Sequence, residues 1–192
     1  MVKLSKIYTR TGDSGKTGLA DGSRRAKHDA RIIAIGEVDE ANAAIGLALP
    51  PVRAWRAELA RELSRVQNEL FDIGADLATP EEGAAAQWRV GAEPTQWLEA
   101  RIDAMNAQLQ PLRSFILPAG SEAAARLHFA RAVARRAERA IARLAAAQGE
   151  WVNPHVLAYV NRLSDYLFVM ARLANHELAD GDVLWQPAAD RA

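Results

Sequence analysis

Apolar residues recur three and four positions apart over long stretches, and that rhythm leaves this chain few ways to fold. Ile32, Ile33, Ile35, Val38, Ala41, Ile45 and Leu49 form one such series, beginning at about Lys27. Leu59, Leu63, Val66, Leu70, Ile73 and Leu77 form another. This spacing puts the side chains on one face of a helix. Pro50-Pro51 is expected to end the first helix, because proline lacks the N–H that a helix needs. The second is expected from about Arg53 to Leu77, stopped by Thr79-Pro80. Residues 80–93 read as a polar loop containing Gly83 and Gly91. A third helix after Pro94 carries Trp97, Leu98, Ile102 and Met105 and ends at Pro111. Ser114 to Pro118 reads as a short extended piece. Ser121 is the expected N-cap of a fourth helix to about Gln148, with Gly149 as its stop. Asn153-Pro154 opens a fifth, to about Leu178. No strand alternation of useful length appears, nor any internal repeat. The expected fold class is therefore all-α, a five-helix up-and-down bundle.

The 192 residues, 49% hydrophobic and 25% charged, fit a single domain over 1–192 that buries a core without staples. Within it, 1–25 is a loop segment, 26–179 the bundle and 180–192 a tail. The tail has the composition of a mobile end, although Leu184 and Trp185 could fold over a bound ring. Twenty-four basic residues balance 24 acidic ones, which argues against a protein that coats nucleic acid or an anionic membrane. The absence of cysteine excludes disulfides, thiolate nucleophiles and Cys-held zinc or iron–sulfur centres. The four histidines show no metal-ligand pair spacing. Met1 to Arg10 has no apolar targeting core, and no run approaches the roughly 18 apolar residues of a membrane span. A cytoplasmic location is expected.

Four segments stand apart from the apolar rhythm. Thr9 to Ser23 is rich in Gly, Thr, Ser and Asp and reads as loop and turn. Gly15-Lys16-Thr17 is not a Walker A motif, since the required earlier glycine falls on Arg10 and no helix starts at the Lys-Thr step. The loop, with Arg10, Lys16 and Lys27, can still wrap phosphates through backbone N–H groups and charge. A tail that binds nothing is the other reading. The second segment holds Arg131, Arg135, Glu138 and Arg139 on one helix face. With Arg126, Arg136 and Arg143 it makes six arginines against a single acid. Guanidinium is a planar bidentate donor suited to phosphate, and a solvated basic face is the plain alternative. The third places Asn161, Asp165 and Phe168 on one face, as a partly buried polar network or as interhelical hydrogen bonding. The fourth, Gly36 to Glu40, offers Asp39 and Glu40 as surface carboxylates or as partners of the arginines across a helix or subunit contact.

Taken together and in order, these motifs resemble one family. Lys6 to Leu19, Gly22-Ser-Arg24 and Lys27 look like the N-terminal signature of PduO-type ATP:cob(I)alamin adenosyltransferases. Gly36 to Glu40, Phe115 to Pro118, Ala130 to Glu138-Arg139 and Asn161 to Asp165 resemble its remaining motifs, so the similarity spans roughly residues 6 to 178. Ala119, Ile35 and Ala41 depart from the residues common in the family, which touches packing more than chemistry. The resemblance implies a trimer of five-helix bundles with active sites between subunits. It implies transfer of the 5′-deoxyadenosyl group of ATP, accompanied by Mg²⁺, to cob(I)alamin, giving adenosylcobalamin and triphosphate. Cobalt(I) is itself the nucleophile, so position and electrostatics are what the protein must supply.

The resemblance also implies roles for particular residues. Thr9, Arg10, Thr11, Gly12, Thr17, Gly18 and Lys27 would hold the triphosphate. Arg135, Glu138, Arg139 and Asn161 would complete the nucleotide site, and Arg131 would pair with Asp39 of a neighbouring subunit. Phe115 and Phe168 would lie below the corrin ring and exclude an axial ligand from cobalt, although core packing accounts for them equally well on sequence alone. No side chain is assigned to a metal. An adenosylcobalamin-dependent enzyme and a cob(II)alamin reductase are the implied partners. The alternatives are a non-catalytic nucleotide or cobalamin carrier that delivers cofactor to a dependent enzyme, and a helical oligomer whose arginines are surface decoration.

Overall fold

Three polar side chains start three of the long helices, each by accepting a backbone N–H that the first turn leaves free. Asp29 accepts from Arg31 at 2.9 Å, Ser121 from Ala124 at 3.2 Å, and Asn153 from His155 at 3.0 Å. The computed structural model describes residues 7–80 and 89–191. Lys6 and most of the expected 80–93 loop, Gly83 included, lie outside the described residues. The helices are α1 (Ala30–Trp55), α2 (Ala57–Leu77), α3 (Glu93–Asn106), α4 (Glu122–Ala145) and α5 (Pro154–Leu178). The five-helix bundle expected from the periodicity is the one observed.

α1 packs against α2 and α4, α4 against α5, and α3 against α5. The expected apolar stripes meet in one core. Val38, Ile45, Leu63, Val66, Leu70 and Ile73 are buried there with Leu127, Ile141, Leu163 and Leu167. α1 and α4 run antiparallel, since Arg136 of α4 meets Glu37 and Glu40 near the start of α1. At the other end Arg126 meets Leu47.

The structure corrects several boundaries. α1 does not stop at Pro50-Pro51 but runs through both prolines to Trp55. A proline at 51 deprives the Leu47 carbonyl of its helical donor. The Arg126 guanidinium of α4 donates to that carbonyl at 2.7 Å, replacing the missing bond from outside the helix. The chain turns instead at Arg56, whose backbone is extended, and α2 therefore begins at Ala57 rather than Arg53. Trp55 and Arg56 both donate to Glu177 at 3.0 Å, which fixes the corner to the end of α5. α3 ends at Asn106, ahead of Pro111, and α4 at Ala145, ahead of Gln148.

The N-terminal segment is also more ordered than loop and turn. Lys16–Gly18 (β1) and Arg24–Ala26 (β2) pair antiparallel, with Thr17 opposite Arg25. Three-residue strands are too short to leave an alternation in sequence. The tail, expected to be mobile, pairs with the segment before α4. Ile116 and Leu184 form an antiparallel bridge, and the Leu117 and Trp185 amides donate to Val183 and Phe115 at 2.7 and 2.8 Å.

The bond across the prolines yields a test by double-mutant cycle. Arg126→Leu should cost about 1 kcal/mol or less, the Leu47 carbonyl being near water. That corresponds to roughly 2–4 °C in Tm for a chain of this size. In a Pro51→Ala background, where residue 51 regains its N–H, the cost should shrink to that of the exposed Arg126–Glu122 pair alone. Equal costs in both backgrounds would show that Arg126 does not substitute for the helix bond.

Candidate functional site

Two regions hold the polar residues that the bundle does not need for its core, one at each end of α4. At the α1 end lies the Gly/Thr/Ser loop. Gly15 donates to Gly12 at 3.1 Å, and Lys27 donates through its backbone to Gly15 at 2.8 Å. The Arg24 guanidinium donates to the carbonyls of Thr11 at 2.7 Å and Lys16 at 3.2 Å, tying the exposed turn to β2. Thr9 and Thr11 share a hydroxyl hydrogen bond of 2.9 Å. Arg10 has a positive φ of 61°, a backbone conformation that costs a non-glycine residue energy and that clusters at ligand sites. The Lys27 ammonium lies against Gly12, 3.4 Å from where a Cβ would stand. Thr9, Arg10, Thr11, Gly12, Thr17, Gly18 and Lys27 are thus brought into one hairpin with its preceding turn. Thr17 and Gly18 sit in β1, so Lys16-Thr17 is in a strand and not at the start of a helix. The hairpin tip is held to the end of α2 by the Ala20 amide, which donates to Ala78 at 3.0 Å.

Along the outer face of α4 runs a row of arginines at steps of four: Arg131, Arg135, Arg139 and Arg143. Among the described residues none of the four is in an ion pair. Arg139 donates only to the Arg135 carbonyl, at 2.9 Å. Arg136, which the sequence placed in the same cluster, faces α1 and is neutralised by Glu37 and Glu40. Asp39 stays exposed and has no partner within the described chain. A groove of about 360 Å³ lies between His28, Ile33 and Glu37 on one side and Arg136, Arg139 and Arg143 on the other. Toward α5, Glu138 accepts from Asn161 at 2.7 Å. This pair is at the surface. Asp165 is also exposed and pairs with Arg162, so the partly buried network read into Asn161, Asp165 and Phe168 is two separate surface contacts.

Arg131 is the half-buried member of the row. Its guanidinium sits 5.9 Å from the Phe168 ring centre, and its Nε is buried without a hydrogen-bond partner. Burial, and secondarily the neighbouring Arg135, hold it below the ordinary arginine value. One turn earlier, His128 packs on Phe168 with ring centres 6.1 Å apart. His128 is 2% exposed and neither ring nitrogen has a partner. Burial lowers its pKa, as does Arg131. Nothing in the sequence marks this histidine, since its flanking residues are ordinary helix formers.

At the far end, Phe115 is 79% exposed, a rare cost for so large a ring. Trp185 meets it edge-on at 6.2 Å. The strand carrying Phe115 is locked to α5 by Asn175, fully buried, which accepts from the Ser121 amide at 2.9 Å and donates to Ala119 at 2.9 Å. Gly120, at φ 109°, passes so close that a Cβ there would lie 2.1 Å from the Asn175 oxygen. Phe115 and Phe168 are therefore both held near the α4 N-terminal half, Phe115 bare and Phe168 half-buried.

Residues 7–174 match the profile of the Cobalamin adenosyltransferase family. The chain is 49% identical to a corrinoid adenosyltransferase of Mycobacterium tuberculosis, over 99% of this chain and 97% of that one. It is 43% identical to a corrinoid adenosyltransferase of Bacillus subtilis, over 96% of this chain and 94% of that one. A solved variant of the PduO-type ATP:corrinoid adenosyltransferase from Lactobacillus reuteri, complexed with cobalamin and ATP, superposes with a TM-score of 0.88. It has 39% identity and covers 95% of this chain and 100% of that one.

The buried imidazole predicts a pH signature. Its folded pKa lies below the ordinary 6.5, so the unfolded chain takes up the proton first as pH falls. The stability that neutral His128 gives is complete above about pH 6.5 and is lost as pH drops toward the depressed value. Melting curves between pH 7 and 5 should therefore show a steeper acid loss of Tm for the parent than for His128→Leu. Parallel profiles would mean that His128 is protonated equally in both states.

Proposed function

The chain belongs to the cobalamin adenosyltransferase family, and from that premise we infer that it transfers the 5′-deoxyadenosyl group of ATP to the cobalt of cob(I)alamin. The products are adenosylcobalamin and triphosphate. Cobalt(I) supplies the electron pair that forms the Co–C5′ bond. The C5′–O bond breaks, and the triphosphate leaves with that bond's electrons. No protein nucleophile is required. The protein's task is to align the 5′ carbon with cobalt and to meet the charge that grows on the leaving group.

The observation that carries the site assignment is the unpaired row on α4. Four guanidiniums at successive turns repel one another and find no carboxylate among the described residues. A polyphosphate is the ligand that such a row fits, in charge and in bidentate geometry. We assign Arg135 and Arg139 to the nucleotide phosphates. Glu138 and Asn161, already hydrogen-bonded to each other, take the ribose or base side. Thr9, Arg10, Thr11, Gly12, Thr17, Gly18 and Lys27 wrap the rest of the triphosphate.

Fold dimensions favour a shared site. α4 has 24 residues and is about 36 Å long. The phosphate loop lies at its C-terminal end and Phe115 at its N-terminal end, too far apart for one ATP to reach both. We propose that the loop of one protomer closes on the α4 face of a neighbour in a homotrimer. There the exposed Asp39 of one subunit would pair with Arg131 of the next. Phe115 and Phe168 then face the corrin ring and keep an axial ligand off cobalt, easing reduction of cobalt(II). Among the described residues no group of three or more His, Cys, Asp or Glu can hold a metal. We assign Mg²⁺ to the ATP phosphates, as the resemblance implies, and route no step through it.

We treat residues 1–192 as one adenosyltransferase domain acting in the cytoplasm. No described helix is long and apolar enough to cross a membrane. A cob(II)alamin reductase upstream and an adenosylcobalamin-dependent enzyme downstream are the partners its chemistry requires.

The direct test is anaerobic. With MgATP and chemically reduced cob(I)alamin, the cobalt(I) spectrum should disappear and a light-sensitive alkylcobalt product should accumulate beyond one equivalent per site. Binding without turnover would instead make the protein a carrier. Arg131→Lys keeps the charge but loses the planar fork. It should lower turnover by roughly 10²-fold with the oligomer intact, and near-parental kinetics would remove Arg131 from the machinery. Phe115→Ala should shift the spectrum of bound cob(II)alamin away from the four-coordinate form, and an unchanged spectrum would refute the wedge role.

A further inference from the structure

We propose that Arg25 is a positioning residue for ATP, clamping the phosphate-loop hairpin to a half-buried carboxylate, Glu150, at the base of the bundle. The inference rests on the reading that the loop holds the triphosphate. Arg25 lies in β2, directly across from Thr17 and two residues before Lys27. Its Nη1 reaches Glu150 Oε1 at 3.2 Å and Asp29 Oδ2 at 3.4 Å.

Both acceptors are themselves held by further hydrogen bonds. Glu150 Oε2 takes two hydrogen bonds from Arg31, from Nε at 3.0 Å and Nη2 at 2.6 Å. Arg31 is 1% exposed and also donates to the carbonyls of Leu77 and Trp151, both at 2.7 Å. Asp29 is fixed as the N-cap of α1. Glu150 therefore stands on a platform made from the start of α1, the end of α2 and the α4–α5 connection. Arg25 transmits that platform to the hairpin. From there Arg24 holds the carbonyls of Thr11 and Lys16, and the Lys27 amide holds Gly15.

Without Arg25 the hairpin keeps its tip contact at Ala78, its buried Leu19 and its covalent link to α1, but among the described residues no other hydrogen bond ties its strands to the bundle. The loop would then sample positions that ATP must select against, and that ordering cost falls on ATP binding alone. The clamp touches neither Phe115 nor Phe168, and once ATP is bound the reacting atoms are aligned as before. The clamp should accordingly act on the KM for ATP and leave kcat and the KM for cob(I)alamin alone. A general loosening of the fold would move all three.

The experiment measures steady-state kinetics of the full-length protein with Arg25→Met, Arg25→Lys and Lys27→Ala, varying MgATP and cob(I)alamin separately. Loss of the two long contacts to Glu150 and Asp29 corresponds to about a tenfold rise in the KM for ATP for Arg25→Met. The other two parameters should stay within the scatter of the parent, and Arg25→Lys should recover part of the affinity. Arg25 is half-exposed, so folding should survive. If the methionine variant does not fold, the lysine variant reads the same KM at smaller amplitude. Lys27→Ala tests the loop reading itself. A raised KM for ATP there, with Arg25→Met at the parental value, would overturn the clamp while sparing the loop. Parental values for both would overturn both. Parallel changes in kcat and in both KM values for Arg25→Met would reduce Arg25 to a general stabiliser.

Discussion

The ion pair of buried Arg31 with Glu150 is the interaction on which the architecture of the hairpin end depends. Taking a guanidinium out of water costs several kcal/mol unless its donors are met. Here they are met by one carboxylate and two main-chain carbonyls from two separate parts of the chain, Leu77 and the consecutive Glu150 and Trp151. The carbonyls belong to Leu77, where α2 ends, and Trp151, just before α5 begins. Removing Glu150 would strand the buried Arg31, and removing Arg31 would leave Glu150 to Arg25 alone, so the pair specifies how these segments meet more than it adds stability. The bundle's apolar stripes could close with small errors of register. A planar fork with fixed acceptors does not permit them.

The opposite end is fixed by a neutral device with a similar logic. Asn175 bridges the Ala119 carbonyl and the Ser121 amide, and only a glycine at 120 lets it approach. The strand holding Phe115 is thereby anchored to α5, and the tail pairs with its edge. Each end of α4 thus has a mount carrying an exposed element: the N-terminal hairpin loop on one, a bare phenylalanine on the other. Neither element is completed within the chain. On the proposed trimer, assembly joins the two, so nucleotide and corrinoid meet only where one subunit's loop reaches another's helix. This also accounts for leaving a ring as large as Phe115 in solvent.

How much of this was legible depended on whether the signal was local. The caps at Ser121 and Asn153 were readable because one side chain and its next two or three amides make the whole interaction. The apolar stripes were readable because burial repeats with the helix. Pro50-Pro51 misled because the bond that rescues the Leu47 carbonyl comes from Arg126, far away in sequence. The β1–β2 hairpin was too short to alternate, and the tail's pairing with residues 115–117 is nonlocal. Within the site, the arginine face was legible as a row, but helical angle alone did not separate Arg136, which turns to Glu37, from its unpaired neighbours. His128 and Arg31 left no trace, because a buried polar side chain is marked only by what surrounds it in space.

The unpaired row explains where the fold holds back stability. A chain selected for stability alone would place a carboxylate one turn from each arginine, as it does for Arg65 with Glu69 and Arg126 with Glu122. Along Arg131, Arg135, Arg139 and Arg143 the one carboxylate at that spacing is Glu138, a turn from Arg135, and it accepts from Asn161 instead. Burial and like charge already depress the Arg131 guanidinium, and its Nε has no acceptor. The row is therefore an arrangement of donors whose mutual repulsion is relieved only by an anion. Internal carboxylates would have neutralised it in advance and, on the proposed site, weakened its hold on charge developing in a leaving triphosphate. Local disfavour of this kind is where a sequence departs from folding rules for the sake of chemistry. Arg136, paired with Glu37 and Glu40 on the same helix, marks where the departure stops.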